Sequence, residues 1–86
     1  MSVTYNQAAM AFIGSTFDSA AKTLLRQGLG EEQVTKVALV FNEVKQEFPK
    51  NLSFEQQISG KGEKPSLLQA TVDMLSRSDN IDFLDI

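Results

Sequence analysis

Apolar residues recur along this chain at spacings of three and four, the period of a helix packed on one face. Met10, Ile13, Phe17, Ala20, Ala21 and Leu24 form the first such stripe, with Tyr5 and Phe12 widening its flank. Thr4-Tyr5-Asn6-Gln7 has the spacing of a capping box, in which a threonine hydroxyl and a glutamine amide satisfy each other's backbone N–H groups. The pattern therefore predicts one long helix starting at Thr4, with Gly14 inside it at a cost of about 1 kcal/mol relative to alanine. Close packing against a neighbouring helix would account for that glycine. Gly28, two residues after Arg26, ends the segment as a C′ glycine would.

A second stripe follows almost at once: Val34, Val37, Ala38, Phe41, Val44 and Phe48. Glu31 and Glu32 open it where the helix dipole favours negative charge, and Pro49 stops it. The short connection makes the two helices an antiparallel hairpin. Leu39 projects from the polar side of the second helix, and Val40 lies on its shoulder. Ser53 and Gln56 repeat the capping-box spacing ahead of a short third helix, anchored by Phe54 and Ile58. Gly60-Lys61-Gly62-Glu63-Lys64 reads as a flexible link. Pro65 suits the first position of a final helix, whose inner face is Leu67, Leu68, Ala70, Thr71, Met74 and Leu75. The expected fold is all-α: a compact bundle of three to four helices spanning residues 1–78, followed by a tail over residues 79–86. No internal repeat and no low-complexity tract interrupts it.

The tail breaks the helical pattern. Ser78-Asp79-Asn80 reads as a turn, and Ile81-Asp82-Phe83-Leu84-Asp85-Ile86 interleaves acids with large apolar side chains. Placed on a continuing helix, those apolar groups would scatter around the axis. Two readings follow. Ile81, Phe83 or Leu84 folds back to close the end of a small bundle, or the tail is a linear motif whose apolar anchors dock in a groove while its aspartates keep it hydrated.

Composition narrows the chemistry. The 86 residues include no histidine and no cysteine, which removes the commonest acid–base residue, the thiol nucleophile and the soft metal ligands. Carboxylate pairs exist, Glu31/Glu32 and Asp82/Asp85, but one starts a helix and the other lies in the tail. The acids Asp79, Asp82 and Asp85 lack EF-hand spacing. Gly28-Leu29-Gly30 is too short for a phosphate loop and follows a helix. No serine or threonine has a histidine partner, and no motif marks a Ser/Lys pair. The expectation is a non-enzyme with no cofactor and no metal.

Eight basic against eleven acidic residues give a formal net charge of −3, and the outer face of the second helix is acidic, so nucleic acid is not the expected partner. No apolar run is long enough to span a bilayer, and no basic region precedes the first apolar stretch. The expected setting is the cytoplasm, where the absence of cysteine costs nothing.

Two resemblances bear on function. Leu29-Gly30, Val37, Leu39-Val40 and Glu47-Phe48 resemble the second helix of acyl carrier proteins, and Ala70-Thr71-Val72 is similar to part of their last helix. That family carries an Asp-Ser pair after Leu-Gly, its serine bearing phosphopantetheine. Glu32 and Gln33 stand here, and Asp18-Ser19 falls too early, so a carrier role is not expected. Asn80-Ile81-Asp82-Phe83-Leu84 resembles the Gln-Leu-Ser/Asp-Leu-Phe peptide with which bacterial proteins bind the replication sliding clamp. It also looks like the clamp-binding ends of small phage late-transcription coactivators, and implies a clamp- or polymerase-associated factor as one alternative. A small-ligand or lipid-binding bundle, with Phe12, Phe17, Phe41 and Phe48 around a cavity, is another.

The leading expectation is a regulator, adaptor or inhibitor that works by protein–protein contact. Its predicted binding residues are Leu39, Val40, Ile81, Phe83, Leu84 and Ile86. Self-association as a homodimer or higher oligomer would complete an undersized core.

Overall fold

The computed structural model describes residues 3–60 and 65–77. Among them the chain forms five helices and no strand: α1 (Tyr5–Phe12), α2 (Phe17–Arg26), α3 (Glu31–Lys45), α4 (Phe54–Ile58) and α5 (Leu67–Arg77). This is the all-α bundle expected, with one helix more because the first stripe is divided.

The division lies at Gly14. Its φ is +67°, a left-handed conformation that side chains with a Cβ rarely adopt, and it ends α1 rather than continuing it. Thr16 then starts α2 as an N-cap, its hydroxyl accepting the Ser19 N–H at 3.2 Å. Asp18 follows in the first turn. The break corrects the predicted inner face. Tyr5, Ala8, Ala9 and Phe12 form the buried face of α1, so the two aromatics expected on the flank are core. Met10 and Phe17, expected inside, are 37% and 55% exposed.

The capping signals appear as predicted. Gln7 N–H donates to the Thr4 hydroxyl at 3.0 Å, and Thr4 N–H donates to Gln7 Oε1 at 2.9 Å. Ser53 and Gln56 repeat that exchange ahead of α4. Gly28, at φ +107°, closes α2 with two backbone bonds, Gly28 N–H to the Leu25 carbonyl and Leu29 N–H to the Leu24 carbonyl. That pair is a Schellman motif, and its accompanying apolar contact is supplied by Leu24 and Leu29, both buried. At the last helix the expectation shifts by one step. Ser66, not Pro65, provides the cap: its hydroxyl accepts the Gln69 N–H at 3.0 Å, and α5 begins at Leu67.

α3 buries Val34, Val37, Ala38, Phe41 and Val44 as predicted, with Phe48 half-buried beyond its end. α5 contributes Leu67, Thr71 and Leu75, and the buried Thr71 hydroxyl donates to the Leu67 carbonyl at 2.8 Å. Met74, expected on that face, is 43% exposed. α5 packs on α1, α3 and α4, and α2 packs on α1 and α3; α2 and α5 do not touch. The core therefore sits between α1, α3 and α5, with α2 laid along the opposite side of α1 and α3. Among the described residues no helix is long and apolar enough to cross a membrane.

Candidate functional site

A groove of about 320 Å³ opens between the α1–α2 turn and one side of α3. Its origin is the chain break at Gly14. The turn leaves Phe17 at the first position of α2 beside Phe12, ring centroids 6.2 Å apart and tilted by 56°. Phe12 in turn stacks on Phe41 of α3 at 5.5 Å. The two inner rings are core, whereas Phe17 stands more than half exposed at the rim. A centroid separation within 4.5–7 Å is the usual range for attractive ring contacts.

On the α3 side, Thr35, Ala38, Leu39, Asn42 and Lys45 line the groove at helical spacing. Leu39 is the most exposed of the large apolar residues described, at 64%. Lys45 places its ammonium 6.0 Å from the centre of the Phe41 ring. The floor is thus aromatic, the rims carry Phe17 and Leu39, and one end carries a cation.

Two further depressions adjoin that cationic end. One is lined by Asn42, Lys45, Gln46, Phe48 and Lys50. The other lies beneath the α1–α2 turn, between Gly14, Lys45, Lys50 and Leu67. Among the described residues, no carboxylate lines any of the three, in a chain with net charge −3. The ion pairs lie elsewhere: Lys36 with Glu32 at 3.8 Å, and Arg77 with Asp73 at 3.3 Å, both one helical turn apart and exposed. Pairs of that kind contribute little to stability.

Of the predicted binding residues, Leu39 lies on the groove. Val40 is half-buried against the core and does not line it. Ile81, Phe83, Leu84 and Ile86 lie outside the described residues, as does most of the Gly60–Lys64 link. The four phenylalanines proposed for a ligand cavity divide: Phe12, Phe17 and Phe41 share the open groove, while Phe48 lines the neighbouring depression. Lys45 was not among the predicted site residues, and Phe17 was named only for the ligand-cavity alternative, not among the protein-binding residues. The signal for Phe17 was present in Gly14-Ser15-Thr16, a glycine followed by a capping residue, which marks a helix stop and a new start. Among the described residues no cluster of acidic side chains could hold a metal ion.

No protein-family model, curated protein or solved structure matches this chain.

Proposed function

We propose that this protein acts by binding another protein, without catalysis, through the groove between the α1–α2 turn and α3. The observation that carries the reading is the exposure of Phe17 and Leu39, 55% and 64%, on facing rims of one apolar groove. Two large apolar side chains left in water across a floor of aromatic rings supply the anchors on which affinity concentrates. Lys45 at the end of the groove adds a charge that orients an acidic segment. The reading is that of a regulator, adaptor or inhibitor, working in a reducing compartment such as the cytoplasm.

The test compares the wild-type chain with a Phe17→Ser, Leu39→Glu variant as affinity baits. Both positions are more than half exposed, so the fold is retained, which far-UV circular dichroism verifies. A protein held by the wild type and lost from the variant, and binding only the wild type again after purification, is the expected result. If both baits retain the same proteins with the same strength, the groove is not the binding surface.

A further inference from the structure

We propose that the groove is covered by the acidic–apolar segment Ile81–Ile86 of the same molecule, so that a protein partner reaches it by displacing that segment. The inference rests on the protein-binding reading of the groove and adds its regulation. Charge selects the groove as the segment's seat. Asp82 and Asp85 stand between Ile81, Phe83, Leu84 and Ile86, so a seat must combine apolar surface with cations and no carboxylate. The depression beside the middle of α5 fails that condition: Val44, Ala70 and Met74 make it apolar, but Glu47 and Asp73 also line it. The depression between Leu52 and Pro65 offers no cation. The groove and its two adjoining depressions meet the condition, with Phe12 and Phe41 beneath and Lys45 and Lys50 at one end. Both lysines are exposed, and neither enters the ion pairs of the described residues.

Reach and tethering select the same molecule. Leu67, the first residue of α5, lines one depression together with Lys45 and Lys50, which fixes the start of α5 beside the cationic end. Arg77, at the other end of α5, is about 15 Å away along the helix axis. One interhelical spacing between the packed helices α5 and α3 adds about 10 Å, so Arg77 lies within about 25 Å of that end. Phe83 and Ile86 follow Arg77 by about 20 and 30 Å of extended chain. The segment therefore spans the distance, entering past Lys50 and Lys45 with its last apolar residues over Phe41. A tether of that length holds the segment at an effective concentration of about millimolar. A second copy at micromolar concentration presents the same segment about a thousandfold more dilutely, so the contact within one molecule fills first.

A spin label tests this on the full chain. The sequence has no cysteine, so Ile86→Cys carries a single nitroxide at the end of the segment and leaves Phe83, Leu84 and both aspartates in place. Amide spectra of the isotope-labelled, spin-labelled chain are expected to show selective broadening at Asn42, Lys45 and Lys50 that does not change on dilution. Reversing the two charges (Lys45→Glu with Lys50→Glu) is expected to remove it, while unchanged core signals of Leu24 and Leu75 verify the fold. A mixture of isotope-labelled wild type with unlabelled, spin-labelled chain is expected to show no broadening. Broadening in that mixture assigns the segment to a second copy and overturns the proposal, as does an unbroadened groove or broadening that survives charge reversal. Freeing the groove by Phe83→Ser with Leu84→Ser is expected to tighten the binding of a captured partner severalfold, and unchanged affinity overturns the displacement. A partner lost on groove substitution, with no broadening at the groove, overturns only the seat of the segment. Broadening at the groove, with every captured protein indifferent to groove substitution, overturns only the protein-binding reading.

Discussion

Phe41 stands where core and groove meet. It is 7% exposed, stacks on Phe12 and still contributes to the groove lining. Truncation removes a ring from a packed site, which typically costs about 3–5 kcal/mol. Because the vacated space opens onto the groove, Phe41→Ala is expected near the lower end, about 3 kcal/mol, by urea unfolding. A loss below about 1 kcal/mol would contradict the packing. Its burial was legible from the Val34, Val37, Ala38, Phe41, Val44 stripe, since α3 runs unbroken over that length. Phe12 and Phe17 were not legible in the same way. A stripe drawn through Gly14 as if the helix continued puts Phe17 inside and Phe12 on the flank, and a single left-handed residue reverses both.

Gly14 is thus the hinge on which the element-level account turns. In a continuous helix, alanine at that position would stabilise the protein by about 1 kcal/mol. At φ +67° an L-residue is strained, and its Cβ would lie 3.1 Å from Phe54 Cδ1. Phe54 is more than half exposed and can shift aside, so the backbone term dominates. Gly14→Ala is accordingly expected to destabilise by about 1–2 kcal/mol in thermal or urea unfolding. Stabilisation would show that α1 and α2 are one helix. The other element boundaries were readable because they are written in short-range chemistry: the Thr4–Gln7 and Ser53–Gln56 boxes and the Gly28 motif each depend on residues within five positions. Gly14 misled because an interior glycine and a terminal one look alike until the following Ser15-Thr16 is weighed as a new start.

At the scale of the whole molecule, the break does more than add a helix. It lays α2 along the side of α1 and α3 away from α5, and the space between its first residue and α3 is the groove. Periodicity along one segment carries no information about such a juxtaposition, which is why Leu39 was foreseeable as an exposed residue but its facing partner Phe17 was not. The lysines were visible in the sequence as scattered charges, and only the meeting of α3's last turn with the loop at Lys50 gathers two of them at one end of an apolar trough. The central claim, that this trough takes an acidic–apolar segment, is tested most directly by amide and methyl spectra. The isotope-labelled Phe83→Ser, Leu84→Ser chain, whose groove is intact, would be titrated with an unlabelled peptide of residues 78–86. Shifts are expected to cluster at Ser15, Phe17, Leu39, Asn42 and Lys45 and to weaken with added salt. Shifts gathered instead around Val72 and Leu75 of α5, or none at all, would contradict the account.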